Sequence, residues 1–112
     1  MTVSELAASL NAQIFTGEVD ALSRPVTGGY VGDLLSWVMG RAPSGGAWIT
    51  IMQNLNVAAV ALLADVSCVI LAEGVIPDEA LLNKAAAQGI ALLGVGMPAF
   101  DAAVHLGELL KA

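Results

Sequence analysis

The amino-acid sequence predicts an α/β fold: one three-layer domain spanning residues 1–112, with a largely parallel sheet. The first observation is that strand-like and helix-like segments alternate from residue 47 onward and are joined by only a few residues. The second is that segments 66–72 and 90–95 are apolar on both faces, as central strands of a parallel sheet are. Parallel strands joined by one helix almost always cross over with a right hand, so we expect right-handed βαβ units.

The N-terminal part of the chain predicts short elements. Residues 4–10 have the spacing of an amphipathic helix, with Ser4 as its N-cap. Residues 12–15 are a brief strand candidate. Residues 18–28 contain a proline and indicate a connection, with a strand around Val26 as the alternative.

Residues 27–33, TGGYVGD, carry three glycines ahead of an apolar segment and raise the question of a phosphate-binding loop. Such a loop has the form G-x-x-x-x-G-K-[ST], and its lysine contacts the phosphates. The first lysine of this chain is Lys84, and the glycine spacing is G-G-x-x-G. We therefore interpret these residues as a tight connection in which Asp33 caps a helix over residues 34–39.

The C-terminal part predicts a regular alternation of strands and helices. Asn54 or Asn56 can cap the first of these helices, and proline begins the other two. The predicted elements, in order, are strand 47–52, helix 55–64, strand 66–72, a helix from Pro77 to about Gln88, strand 90–95 and a helix from Pro98.

Charge and hydropathy exclude several classes of protein. Ten acidic and four basic residues give a net charge of −6, so the chain has no basic stripe for nucleic acid. The most apolar window, residues 57–72, is shorter than the roughly 20 residues of a membrane span and contains Asp65. A single cysteine cannot form an internal disulfide, and the first residues do not resemble a signal peptide, so we expect a cytoplasmic protein without membrane contact.

No arrangement of residues indicates catalysis or a cofactor. Cys68 lies in an apolar strand, where the thiolate is disfavoured. His105 shares a helix face with Asp101 and Glu108, which we interpret as solvated polar surface, with a weak metal or acid–base cluster as the alternative. We expect no enzyme activity, no metal and no cofactor.

The edge of the sheet at which the parallel strands end is the best place for a small-molecule site, because open α/β sheets bind ligands there. Amide side chains donate and accept hydrogen bonds, which suits a small polar metabolite without charge. The alternative for the two asparagines is that they only cap a helix. The residues expected to bind ligand at this edge are Gln53, Asn54, Asn56, Glu73 and Gly74.

The segment 34–39 is short and apolar on almost every side, so one subunit has little capacity to bury it. Tryptophan, tyrosine and methionine are favoured in the centres of interfaces. We therefore expect a homodimer whose interface includes Tyr30, Trp37 and Met39. Burial of these side chains within a single subunit is the alternative.

Five ordered segments carry a resemblance to a known family. They are VSELAASLNAQIFTGE, VTGGYVGDLLSWVMG, AWITIMQNLNVAAVALLADVSCVILAEG, PDEALLNKAAAQGIALLGV and MPAFDAAVHL, and they cover nearly the whole chain. In this order they resemble the DRTGG-domain family, which is related to the N-terminal domain of HPr kinase/phosphorylase. The resemblance implies the α/β fold of that domain and a regulatory or ligand-binding role without catalysis.

Two functions follow as hypotheses. The first is a non-catalytic regulatory or small-ligand-binding domain that acts as a homodimer. The second is a protein-interaction module, such as an accessory subunit of a hydrogenase-type redox complex. This second hypothesis rests on the low charge of the chain. It also rests on the resemblance, which implies that some small proteins of the family are encoded in gene clusters of iron-only hydrogenases. An enzyme is a third and weaker hypothesis.

Overall fold

The computed structural model describes residues 1–112 as six helices and five strands. The helices are α1 (Val3–Leu10), α2 (Val19–Leu22), α3 (Leu35–Arg41), α4 (Asn56–Ala64), α5 (Glu79–Ala87) and α6 (Ala99–Lys111). The strands are β1 (Gln13–Thr16), β2 (Gly28–Val31), β3 (Gly46–Thr50), β4 (Cys68–Leu71) and β5 (Leu92–Gly94). None of the helices combines the length and the hydropathy that a membrane span requires.

The five strands form one sheet in the order β1-β5-β4-β3-β2. Strands β2 to β5 are parallel to their neighbours, and β1 pairs with β5 in the antiparallel direction. Helices α3, α4 and α5 each join two neighbouring parallel strands. Parallel strands need such a crossover, since only antiparallel strands can be joined by a tight hairpin. The α/β class and the largely parallel sheet are confirmed, whereas the right hand of the crossovers stays a prediction.

Two groups of buried residues lie on opposite faces of the sheet. One group joins α1, α2 and α6 to strand residues such as Ile49 and Ile70. The other joins α3, α4 and α5 to the neighbouring strand residues, among them Trp48 and Val69. Successive residues of a strand point to opposite faces, so a strand buried on both sides is apolar throughout, as β4 is. The molecule therefore has three layers: helices, sheet, helices.

The N-cap of helix α1 lies two residues earlier than the sequence pattern indicates. Thr2, not Ser4, is its N-cap: the Thr2 hydroxyl accepts from the Glu5 N–H at 3.2 Å, and the Glu5 carboxylate accepts from the Thr2 N–H at 2.9 Å. This reciprocal pair is a capping box, which satisfies two donors that the first turn leaves free. The bond from the Thr2 backbone, followed by that from its side chain, lowers the pKa of Glu5.

The glycine-rich segment is a strand, not the tight connection that the sequence indicates. Gly28–Val31 forms β2, parallel to β3 at one edge of the sheet, and the preceding connection contains the one-turn helix α2. A β-carbon at Gly29 would lie 2.6 Å from Leu106 Cδ2 of α6. Glycine weakens a strand pattern but permits close approach, so the packing of α6 decides this element rather than local propensity.

Asp33 does not cap α3. The helix begins at Leu35, and the N-cap residue, Leu34, makes no side-chain bond to it. The Asp33 carboxylate instead accepts from the Thr50 hydroxyl at 2.7 Å and from the Ile51 N–H at 3.0 Å. Asp33 therefore links the end of β2 to the end of β3.

Candidate functional site

A cavity of about 300 Å³ opens at the edge of the sheet where the parallel strands end. We call it the crest cavity. Its wall consists of the beginning of β1, the end of β5 and the loop that follows β4. The lining residues are Asn11, Gln13, Phe15, Gly74, Val75, Ile76, Gly94, Val95 and Gly96. This is the place at which open α/β sheets bind small molecules, and the volume lies at the lower end of the usual range of ligand pockets.

The loop after β4 turns sharply beside the cavity. Glu73 and Gly74 have φ angles of 62° and 70°, and the Val75 N–H donates to the Ala72 carbonyl at 3.3 Å. Two central residues with positive φ define a type I′ turn, in which glycine carries no steric cost. The Glu73 and Gly74 N–H groups donate to the carbonyls of Met97 and Val95. The turn is thereby fixed against the segment that follows β5.

The crest cavity contains polar groups that are free to meet a ligand. The side-chain amides of Asn11 and Gln13 make no hydrogen bond within the chain. The N–H groups of Ile76 and Gly96 donate to no group of the chain either. Two amides supply both donors and acceptors, and two backbone N–H groups add donors, so the cavity suits a polar ligand.

The aromatic wall of the cavity depends on a glycine in β5. A β-carbon at Gly94 would overlap the ring of Phe15, which packs against the group of buried residues that includes Trp48. At Gly96, by contrast, an added β-carbon would meet no atom within 4 Å. Gly94 therefore lets Phe15 lie across β5, while Gly96 borders open space.

Gly94→Ala is expected to lower the free energy of unfolding by about 1–3 kcal/mol, because the Phe15 ring must move to admit the methyl group. Gly96→Ala is the matched control, and we expect it to change stability by less than about 0.5 kcal/mol. Urea denaturation followed by circular dichroism measures both. Equal losses in the two variants would contradict this description of the Phe15 contact.

Of the five predicted ligand-binding residues, the structure places only Gly74 in the crest cavity. The Gln53 side chain lies at the same edge but donates to the Ile76 carbonyl at 2.5 Å, so it supports the wall of the cavity from outside. Asn54 Oδ1 accepts from the Asn56 N–H at 2.9 Å, but neither asparagine is the N-cap of α4: that position is Leu55, which makes no side-chain bond to the helix. Glu73 is exposed next to Gly74 in the chain, and Asn56 is exposed at the start of α4; neither lines the cavity. Whether any of the five contacts a ligand stays a prediction.

Asn11, Gln13 and Phe15 are cavity residues that the sequence pattern does not reveal. They reach the site because β1 pairs in the antiparallel direction with β5, which aligns Gln13 with Gly94. Sequence patterns identify a strand but give neither its partner nor its register. The only signal in the sequence for these cavity residues is the pair of polar side chains, Asn11 and Gln13, around the start of the strand.

The other chemically active side chains of the chain do not form a site. Cys68 is buried in β4, and burial raises the pKa of its thiol to about 12, so it is not a nucleophile at neutral pH. His105, Asp101 and Glu108 are exposed on α6. No three His, Cys, Asp or Glu side chains lie close enough together to hold a metal ion.

The three predicted interface residues lie near one edge of the sheet with different exposure. Trp37 is 51% exposed and Met39 is 47% exposed on α3, whereas Tyr30 of β2 is half-buried against the α3–α5 layer. The Arg41 guanidinium lies 3.7 Å from the centroid of the Trp37 ring. This cation–π contact holds the indole in place at the surface.

The fold is similar to that of a solved structure at low sequence identity. It is the structure of the CBS and DRTGG domains of the regulatory region of Clostridium perfringens pyrophosphatase, complexed with its activator, diadenosine tetraphosphate. The TM-score is 0.77 and the identity is 15%, over 94% of this chain and 45% of that chain. The present chain therefore spans less than half of that neighbour. Neither a protein-family model nor a curated protein sequence matches the chain.

Proposed function

We propose that this protein is a non-catalytic regulatory domain of the DRTGG type that binds a small polar ligand in the crest cavity and acts as a homodimer. The observation that carries the proposal is that four polar groups without a partner in the chain border one cavity at the carboxyl edge of the sheet. These groups are the side chains of Asn11 and Gln13 and the N–H groups of Ile76 and Gly96.

The chemistry of the cavity supports binding rather than catalysis. Its lining contains amides, glycines and apolar side chains, and none of its nine residues is ionisable. General acid–base catalysis and nucleophilic catalysis both require a group whose protonation state changes or which attacks the substrate. Such a lining can recognise a ligand but offers no group for proton transfer. A ligand held there would join the loop after β4 to β1 and β5.

The likeness of the fold to a regulatory region also supports the proposal. That neighbour is complexed with a nucleotide activator, diadenosine tetraphosphate. Adenosine and adenine nucleotides are therefore the first ligands to test here. The net charge of −6 disfavours polyphosphates, whereas the adenosine portion offers polar edges that amides can bind.

A thermal-shift series tests ligand binding. We expect adenosine or AMP at saturating concentration to raise the Tm, because a ligand that binds only the folded state stabilises it, and diadenosine tetraphosphate to raise it less. Gly96→Leu places a side chain at the mouth of the cavity and should abolish the shift. Gly40→Leu, at an equally open position on α3, is the matched control and should retain it.

The ligand panel is extended with central metabolites if the three adenine compounds give no shift. A Tm that stays constant with every compound would remove the support for small-molecule binding. A shift that persists in Gly96→Leu would place the ligand elsewhere. Incubation with ATP and candidate acceptors should give no turnover, and turnover would contradict the non-catalytic role.

The exposed face of α4 favours a second function, an accessory subunit of a redox complex of the hydrogenase type. Leu62 is 53% exposed and Leu63 is 72% exposed on this helix, so a partner protein that covers them would bury apolar surface. Co-purification with the products of neighbouring genes tests it. Leu63→Glu should remove a specific partner, and elution of the wild-type protein alone would contradict this function.

A further inference from the structure

We infer that two copies of this chain pair through their β2 strands in the antiparallel direction, so that two five-stranded sheets become one continuous sheet. This inference rests on the homodimer in the proposed function and gives it a contact and a register. It does not depend on ligand binding in the crest cavity. We call the surface the β2 edge; it comprises Gly28–Val31 and the groove beside α6.

The β2 edge offers backbone N–H and C=O groups that are unpaired within the chain and that another strand can pair with. Strand β2 is the last in the sheet and pairs with β3 on one side only. Proteins usually protect such an edge with a charge, a proline or a bulge. Strand β1, at the other edge, has an irregular register between Ile14 and Thr16. The sequence Gly-Gly-Tyr-Val of β2 contains none of these devices.

Charge makes a second copy the appropriate partner for this edge. The chain has 14 charged side chains, of which residues 28–43 contain only Asp33 and Arg41. This segment is therefore neutral, although the chain has a net charge of −6. Two copies repel each other least when this segment forms the contact, because the excess acidic groups then lie away from it.

The two faces of β2 are complementary to a second β2. A groove of about 260 Å³ lies between β2 and α6, and Gly29 and Val31 both border it. Val31 is 49% exposed there, and Gly29 has no side chain. A two-fold axis that passes between the two Tyr30 residues places Val31 of each copy opposite Gly29 of the other.

The same register pairs the aromatic side chains on the opposite face. Tyr30 packs toward the α3–α5 layer, so the two Tyr30 side chains become a cross-strand pair, which is among the stabilising pairs of antiparallel sheets. An interface of ordinary size covers about 800 Å² on each partner. A four-residue strand cannot supply that area alone, so the contact must extend to α6 and to Trp37 and Met39 of α3.

Val31→Lys tests the contact, because it places a charged side chain on the β2 edge beside Gly29 of the other copy, and a lysine on an edge strand opposes pairing with another strand. By light scattering we expect the wild-type protein at twice the chain mass of 11.3 kDa and Val31→Lys at the chain mass. Ile14→Lys, on the other edge strand, is the matched control and should stay dimeric. Circular dichroism establishes that each variant is folded.

Tyr30→Cys tests the register. Directly opposed residues of an antiparallel pair have Cα atoms about 4.5–5.5 Å apart, within the span of a disulfide. Mild oxidation should convert Tyr30→Cys to a covalent dimer, whereas Val19→Cys on α2 should stay uncrosslinked. Tyr30 is half-buried, so Tyr30→Cys can impair folding. In that case the mass of Val31→Lys in light scattering still tests the strand contact.

Three outcomes would overturn the inference in distinguishable ways. A dimeric Val31→Lys together with a monomeric Ile14→Lys would place the contact at the β1 edge. A wild-type dimer that both lysine variants leave intact would refute edge pairing and leave the homodimer standing. A monomeric wild-type protein would refute the homodimer as well, and the Tm series with adenine compounds would still decide ligand binding.

Discussion

Trp48→Ala is expected to lower the free energy of unfolding by about 3–5 kcal/mol, the largest loss that we predict for a single substitution. The Trp48 side chain is completely buried in β3 among residues of α3, α4 and α5. Its Nε1 also donates to the Gly32 carbonyl at 2.9 Å. Truncation therefore leaves a cavity in the layer and removes the partner of a carbonyl group.

Trp37→Ala is the matched control for this substitution, because half of that indole is already exposed. We expect it to cost less than about 1.5 kcal/mol in a subunit examined at concentrations too low for association. Urea denaturation followed by far-ultraviolet circular dichroism avoids the fluorescence change that loss of a tryptophan causes. If Trp48→Ala lowers the free energy of unfolding no more than Trp37→Ala does, the assignment of Trp48 to the core is contradicted.

Stability should fall steeply at alkaline pH because of Cys68. Burial raises the pKa of its thiol from 9.0 to about 12. Between these values the unfolded chain loses a proton that the folded chain retains, so the free energy of unfolding decreases as pH rises. The loss amounts to about 2 kcal/mol at pH 10.5, since one pKa unit corresponds to about 1.4 kcal/mol. Below pH 8 the thiol is protonated in both states and contributes no pH dependence.

Cys68→Ala provides the control for the alkaline effect. It removes the thiol and leaves every other ionisable side chain of the chain in place. The difference in stability between wild type and Cys68→Ala should therefore become smaller, or reverse, as pH rises from 8 to 10.5. A difference that stays constant over this range would show that the thiol does not titrate at a raised pKa.

The sequence reveals the elements that are governed by burial. Strands β4 and β5 are apolar throughout because they are covered on both faces, and this composition is visible without a structure. Strand β2 escapes detection because its glycines have low strand propensity, and the need for Gly29 arises only from its contact with Leu106 of α6. That packing is a tertiary contact, which a local pattern cannot contain.

The candidate site is only partly visible in the sequence for the same reason. The topology of parallel strands directs attention to the carboxyl edge, and Gly74 lines a cavity there. Asn11 and Gln13 come from a strand whose pairing with β5 is not encoded in any local pattern. Gln53 and Asn54 have the appropriate chemistry, but the structure commits their side chains to Ile76 and Asn56.

Amide NMR during a ligand titration tests the proposed function most directly. The ¹⁵N-labelled protein is titrated separately with adenosine, AMP and diadenosine tetraphosphate, with Gly96→Leu as the control. The proposed function predicts that at least one compound moves the amide resonances of Gly74, Ile76 and Gly96 in the crest cavity, and that Gly96→Leu abolishes the effect. Resonance changes confined to other parts of the molecule, or none with any compound, would contradict it.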